Sequence, residues 1–437
     1  MKTHRYKLPA AVRCVDIARE LTVVGDVADY RSCRIYIFND QRLLGVVEIE
    51  NAGQAITPAR LRDAIAEQLY YTLIGLRFAE HPYEPELSLL ERRLGIGEKN
   101  DPAALPPSVS VSIALATYDR PDQLRECLQA LSRQESPRRL EIIVIDNHPA
   151  SGKTPPVVAE FPGVTLVSET RQGLAYARNA GFVRATGDIV IATDDDVVMP
   201  NDWVEKMAAP FARSDVGIVT GNVLPRELET ESQYLFEAYG GLGRGFKRNE
   251  YGPTWLRASR RRAAPTWQLG ATANAAFRTE VFRVPGIGLM DEALGPGMPS
   301  GVGEDTYLFY KILKAGYSLV YLPDAFVWHT HRRDARSLRK QIYNYSKGHV
   351  AYHLTTLLRD GDRRALHRLL VELPRTYLKR IYRRLRGRSD YPISLILLEI
   401  AGNLAGPWAL WQSRRRVRRE GRSAFPGSDN VSSVQTP

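Results

Sequence analysis

Cysteine is scarce in this chain of 437 residues: there are three, Cys14, Cys33 and Cys127, far apart and odd in number. That pattern excludes a disulfide framework or a cysteine-held zinc site, and a reducing compartment is the expected home. A long uninterrupted apolar run is also missing near the start, where MKTHRYKLPAAVRCVDIAREL mixes charged and apolar residues. No secretory signal is therefore expected, and the chain reads as unsecreted. Positive charge is short over most of the length. Residues 332–437 hold 23 Lys and Arg against 8 Asp and Glu, so the overall charge of +11 leaves the remainder mildly acidic. An acidic body with a basic end suits attachment to an anionic surface better than a grip on phosphate along the whole chain. The basic end lacks interleaved aromatic platforms and any familiar nucleic-acid module, so nucleic acid is not an expected partner.

With 44% hydrophobic residues over this length, the chain can bury two or three separate cores. Residues 34–38 and 43–50 read as a strand pair joined by Asn39-Asp40-Gln41-Arg42, and a helical run follows from 58 to about 74. Residues 1–100 are thus expected to form a small α+β unit for docking or scaffolding. Residues 101–108 finish a Pro-, Ala-, Asp- and Lys-containing stretch and read as a linker. Residues 109–340 then change pattern. The runs 109–116, 141–145, 164–167 and 188–192 are β-branched and apolar almost throughout, as expected of strands covered on both faces. Leu124, Cys127, Leu128 and Leu131 share one helical face after Pro121, and Leu174, Ala177, Gly181 and Phe182 mark a second helix. The alternation predicts a doubly wound, mainly parallel α/β sheet, with ligands beyond the carboxyl ends of its strands. Residues 341–425 are predicted to be helical and basic, and 426–437 a disordered tail.

Those strand ends carry the candidate chemistry. The first ends in Thr117-Tyr118-Asp119-Arg120-Pro121 and the second in Asp146-Asn147. Asp146 can accept a hydrogen bond from a nucleotide base, although an Asp in this position is often only a turn residue. Asp194-Asp195-Asp196 is the stronger signal. Three carboxylates directly after a buried strand repel one another, and hard oxygen ligands at alternate positions suit Mg²⁺ or Mn²⁺. The competing reading is a solvated acidic turn. Glu304-Asp305 falls in the first turn of a predicted helix, where the helix dipole keeps a carboxylate ionised and able to take a proton. Residues 319–322 and 326–329 read as two strands, and His329 and His331, two residues apart, can present an imidazole pair to one site.

In this order, VSIALATYDRP, EIIVIDN, RQGLAYARNAG, GDIVIATDDDV, QLGATANAAFR and GEDTYLFYKILKAGYSLVYLPDAFVWHTH resemble the family 2 glycosyltransferases of GT-A fold over residues 109–331, about half the chain. The resemblance implies a Rossmann-like mixed sheet flanked by helices, and transfer of a sugar from a nucleotide-sugar donor with inversion at the anomeric carbon. By resemblance Thr117, Asp119 and Asp146 hold the nucleoside, with Arg178 close by, and Asp194 and Asp196 bind the ribose and the diphosphate-bound metal. Asp195 lies within the same donor-binding cluster, while Asp305, preceded by Glu304, matches the catalytic base. Two departures are Ala116, where the family often has Pro, and Asp119, where Asn is usual. The expected cofactor is Mn²⁺ or Mg²⁺, held by Asp196 and Asp194 with His329 or His331. A UDP-sugar is the expected donor, and a glycan or lipid-linked hydroxyl the expected acceptor.

The glycine-rich loop 240–245, followed by Arg260–Arg262, reads either as a cover for donor or acceptor or as a flexible surface excursion. The apolar run YPISLILLEIAGNLAGPWALW at 391–411 is long enough to span a bilayer, yet Glu399 and Pro407 interrupt it and both flanks are basic. An interfacial segment is the preferred expectation, against a buried helix or a true span, placing the protein in the cytoplasm at the inner face of the cell membrane. Three rivals stand beside the transferase: a nucleotidyltransferase of related fold, a basic nucleic-acid-binding protein, and a non-catalytic lectin-like relative. The first would show a Gly/Lys/Arg-rich loop after its first strand, which ATYDRPDQL is not, and the last would lack the carboxylates.

Overall fold

The computed structural model describes residues 8–50, 53–73 and 104–426. Residues 101–103 of the expected linker and all but the first residue of the expected tail lie outside the described residues. The first unit is a three-stranded sheet of β1 (Leu8–Asp16), β2 (Tyr30–Asn39) and β3 (Arg42–Glu50), with helix α1 (Pro58–Gln68) packed on it through Leu61, Ala64 and Ile65. Strands β2 and β3 form the antiparallel pair read from the sequence. Strand β1, which the sequence reading missed, joins β2 in parallel. Tyr36 and Leu43 of this sheet meet Leu224 and Phe326 of the next unit in one buried cluster, so the two units share apolar surface.

The larger sheet has nine strands: β4 (Val111–Thr117), β5 (Leu140–Asp146), β6 (Thr165–Ser168), β7 (Ile189–Asp194), β8 (Val197–Val198), β9 (Val216–Pro225), β10 (Asn249–Tyr251), β11 (Asn274–Arg278) and β12 (Ser318–His329). Their order is β10-β12-β9-β11-β7-β4-β5-β6, with β8 paired to β12. Strands β4 to β7 are mutually parallel, whereas β11 runs antiparallel to both β7 and β9. All seven residues of β4 are buried, because helices cover both faces and leave no room for a polar alternation. On one face α2 (Pro121–Leu131) buries Leu124, Cys127, Leu128 and Leu131. On the other lies α3 (Leu174–Arg184), brought close by Gly181: a Cβ there would stand 2.7 Å from Ile145 and 3.0 Å from Ala114. The two strands expected near the end of this unit are one strand, β12, whose pairing with β9 is interrupted between Leu322 and Val327. Pro323 lies in that interval and has no N–H to give to the ladder.

After α4 (Glu231–Tyr239) and α5 (Glu304–Lys314), the chain ends in three longer helices: α6 (Ala335–Asp360), α7 (Leu373–Leu385) and α8 (Ile393–Glu420). Helix α8 lies along α6 at its glycines. A Cβ at Gly402 would meet the Tyr343 carbonyl at 2.7 Å, and one at Gly406 would meet Val350 at 2.6 Å. Glu399, the charge inside the apolar run, is buried and receives hydrogen bonds from both Arg380 guanidinium nitrogens and the Tyr377 hydroxyl. The basic region is therefore packed onto the sheet domain. Ser413 accepts from the Ser300 amide, Arg359 pairs with Asp291 at 3.0 Å, and the Tyr176 hydroxyl donates to the Gly421 carbonyl.

Candidate active site

Three parallel strands, β4, β5 and β7, deliver Thr117, Asp146 and Asp194 to the same end of the sheet in adjacent registers. Beyond β4 the chain turns sharply. Asp119 takes φ of +57°, a left-handed conformation that Asp and Asn adopt more readily than most residues, and Arg120 then leads into α2. The Asp119 carboxylate meets His148 Nδ1 at 2.8 Å, and the His148 ring stacks on Tyr118 with centroids 5.0 Å apart. Hydrogen bonds from Ser151 and His148 hold Asp119 below the usual carboxylate range. Asp146 is 1% exposed and accepts from the His148 amide through Oδ1, while its buried Oδ2 has no hydrogen-bond partner. An orphaned buried carboxylate oxygen is costly unless something else donates to it.

The three aspartates after β7 have different surroundings. Asp195 faces inward, accepting from the Thr117 hydroxyl at 2.8 Å and from Arg120 at 2.9 Å. Burial and the neighbouring Asp196 push its pKa up. Asp196 accepts from the same Arg120 nitrogen at 2.7 Å through Oδ2. Its Oδ1 is buried with no hydrogen-bond partner and stands 3.3 Å from His329 Nε2. Asp194 accepts from Arg178 Nη2 at 2.6 Å, and the other end of that guanidinium, Nη1, donates to Glu304 at 3.0 Å. Arg178 is 2% exposed and so ties the aspartate cluster to the start of α5. Gly303, with φ of +116°, turns the chain into that helix and places Glu304 inward. Burial and the charge of Asp305 raise the Glu304 pKa. Half-buried Asp305 accepts from the Thr306 amide at 2.6 Å and the Thr306 hydroxyl at 3.2 Å, both through Oδ1.

His329 and His331 do come together, with their Nδ1 atoms 2.8 Å apart. Only His329 reaches Asp196. His331 turns its Nε2 to Glu237, 2.9 Å away. Burial lowers the His329 pKa, which favours the neutral imidazole that can ligate a metal. The unpartnered Asp196 oxygen beside His329 fits a divalent cation. Among the described residues no group of three or more His, Cys, Asp or Glu forms a closed metal cage. Two protein ligands with the remaining positions left to substrate and water is the arrangement expected of Mg²⁺-type sites.

Sequence reasoning missed Arg120, His148 and Glu237. Arg120 sat inside a quoted motif, but nothing local says that its side chain folds back onto aspartates 75 and 76 residues away. The glycine-rich loop is anchored: Arg244 donates to the carbonyls of Gly241, Gly243 and Trp267, and Tyr321 and Asn222 donate to the Gly245 carbonyl. Arg261 and Arg262 line a separate cleft of about 940 Å³ with Trp255, Trp267, Arg375 and Lys379, and none of the candidate carboxylates lines it.

Residues 112–284 match the family model for glycosyl transferase family 2. The chain is 24% identical over 248 residues to the glycosyltransferase AglE of Haloferax volcanii, covering 55% of this chain and 73% of that one. It is 26% identical over 238 residues to an N-acetylglucosaminyltransferase of Rhizobium meliloti, spanning 52% of each. Among solved structures, the mannosyltransferase PcManGT from Pyrobaculum calidifontis in complex with GDP-Man and Mn²⁺ aligns with TM-score 0.42 and 20% identity, over 80% of this chain and 86% of the other. The 1–349 segment of S. aureus TarS in complex with UDP aligns with TM-score 0.39 and 14% identity, over 72% and 92%. The stretch 112–284, built on the mainly parallel sheet, is thus the part of this chain that matches glycosyl transferase family 2.

Proposed function

We propose that the protein moves a sugar from a nucleotide-sugar donor to a hydroxyl of a glycan or lipid-linked acceptor, with inversion and with a divalent metal. The observation that supports this best is the Arg178 bridge. It brings Asp194, on the donor side, and Glu304-Asp305, at the start of α5, to one guanidinium from positions more than a hundred residues apart. In this reading the orphaned Asp146 Oδ2 accepts from the nucleoside base, with Asp119 and Thr117 framing the same pocket, and Asp194 holds the ribose. Asp196 and His329 are the residues that would hold Mn²⁺ or Mg²⁺; such an ion neutralises the charge growing on the departing nucleoside diphosphate. Asp305 takes the proton from the acceptor hydroxyl as its oxygen attacks the anomeric carbon and the bond to the diphosphate breaks. Glu304, kept inward by Arg178, sets the position of Asp305, and Asp195, bound by Thr117 and Arg120, shapes the turn that presents its two neighbours.

A surface reading accompanies this. Leu370, Leu378, Leu385, Leu404 and Trp408 are each at least 60% exposed, on helical segments rich in arginine. An apolar face flanked by cations suits an anionic membrane surface, and we place the protein peripherally at the cytoplasmic face. The cationic cleft beside Trp255 and Trp267 offers a place for the phosphate of a lipid-linked acceptor. The experiment is release of free nucleoside diphosphate from a panel of UDP-, GDP- and other nucleotide sugars, with glycan and lipid-phosphate acceptors. Acceptor-dependent release from one class, UDP-sugars first, is expected. No release from any donor with Mn²⁺ or Mg²⁺ present would overturn the reading.

A further inference from the structure

A line of side-chain contacts runs from the N-terminal unit to the candidate metal site. Arg34 of β2 donates through Nη1 to Glu237 Oε2 at 2.6 Å; Glu237 Oε1 lies 2.9 Å from His331 Nε2; His331 Nδ1 lies 2.8 Å from His329 Nδ1; and His329 Nε2 lies 3.3 Å from the orphaned Asp196 Oδ1. Each contact constrains the next. Glu237, whose other carboxylate oxygen is paired with the Arg34 guanidinium, is an acceptor only. His331 Nε2 must therefore carry a proton. In the neutral ring its Nδ1 is then a lone pair, which can only accept from His329 Nδ1–H. That leaves His329 Nε2 without a proton, facing a carboxylate oxygen that also has no donor. Two lone pairs so placed repel unless a cation lies between them. Two neighbouring ligands on a six-coordinate ion with bonds of ~2.1 Å stand about 3 Å apart, close to the separation observed.

We propose that Glu237, held by Arg34 from the N-terminal unit, is a positioning residue for the metal site: it fixes the tautomers of both histidines so that His329 offers Nε2 beside Asp196. This rests on the metal-assisted reading above and gives the N-terminal unit a share in it. Helix α4 is suited to the task. A capping box between Thr230 and Gln233 fixes its start, Gln233 also donates to the His331 carbonyl, and Phe236 meets the His331 ring edge-on at 4.8 Å. Outer partners that orient a ligating histidine typically change metal affinity by ~10–100-fold when lost.

The test is titration of the full-length protein with Mn²⁺ alone, reading free Mn²⁺ by electron paramagnetic resonance. Glu237→Gln should weaken binding by ~10–100-fold, with Glu237→Asp recovering most of it; Arg34→Ala should weaken it less, and Arg34→Lys should restore it. A purely structural role would move the melting temperature without this order of rescue. Nitrogen NMR of histidine-labelled, metal-free protein should show His329 Nε2 unprotonated, and in Glu237→Gln that signal should become a mixture of tautomers. Native Mn²⁺ affinity in Glu237→Gln, or a protonated His329 Nε2 in the unaltered protein, overturns the proposal even if sugar transfer is intact. Conversely, the expected tautomers and Mn²⁺ affinities with no sugar transfer would leave this proposal standing and remove the functional reading.

Discussion

The carboxyl end of the large sheet and the outer face of the C-terminal helices depart from ordinary burial in opposite directions. At the sheet end, charge is inside: Arg178 is 2% exposed, Glu304 3% and Asp195 4%. On the C-terminal helices, apolar groups are outside: Leu404 is 78% exposed, Leu385 73% and Leu370 71%. Charged side chains are almost never fully buried unless paired, and clustered large apolar groups are seldom left in water without a partner surface. The first region meets its rule by pairing, since Arg120 and Arg178 supply counter-charge to four carboxylates. The second has no such internal answer. The contrast separates a site whose buried charges answer one another from a surface whose apolar groups stand in water, and in the function proposed above the first takes the donor and the second an anionic membrane.

The largest expected effect comes from the charged region. Asp196→Ala should abolish sugar transfer and remove any Mn²⁺ dependence of donor binding while circular dichroism stays native; metal-independent activity at the original rate would break this half of the comparison. Arg178→Met should leave Asp194 and Glu304 without their shared partner. Removing one member of a buried ion pair costs about 3–5 kcal/mol, to be read as a lower urea midpoint with unchanged slope, and an unaltered midpoint would show that the pairing is not what keeps these charges inside.

On the apolar side, Leu404→Ser with Trp408→Ser should cut binding to anionic vesicles by about tenfold or more, given ~1.5–3 kcal/mol for each large apolar group removed from water. Added salt should weaken binding of the unaltered protein without eliminating it. Equal vesicle binding by the double variant would move the docking surface elsewhere. Surface substitution is the right probe because α8 also packs on α6 through Gly402 and Gly406, so deleting it would disturb the enzyme itself.

The smallest effect concerns a buried histidine of α6, His353. Burial, with His349 and Arg368 nearby, lowers the His353 pKa well below its ordinary value. The unfolded chain therefore takes up this proton first, as pH falls through about 6.5. Its contribution is complete above that pH and declines below it by about 1.4 kcal/mol per pH unit. His353→Gln should flatten the fall in stability between pH 6.5 and 5, measured by denaturant titration at each pH; parallel curves would contradict it.

Much of this was legible locally. Strand β7 is a continuous apolar run that ends in three aspartates, and a strand buried on both faces has no other way to read. Helices α2 and α3 announce themselves through spacing, with Pro121 at the start of the first. What stayed hidden was partnership across distance. Nothing near Arg178 says that it spans Asp194 and Glu304, and nothing near Glu399 says that Arg380 and Tyr377 neutralise it. Strand β1 was missed because its residues, LPAAVRCVD, carry no clean alternation; its place comes from parallel pairing with β2. Glu237 lies in a helix with no motif around it, and only the fold brings it to His331.

The central claim is that Asp305 is the base of a glycosyl transfer whose donor is held by the aspartates after β7. Asp305→Asn keeps the size and helix-start position of the side chain but cannot accept the acceptor's proton. With the donor identified, turnover and donor affinity should be measured together in this variant. The account predicts turnover lower by ~10²–10⁴ with donor affinity nearly unchanged; near-native turnover would contradict it and move the search for the base to Glu304.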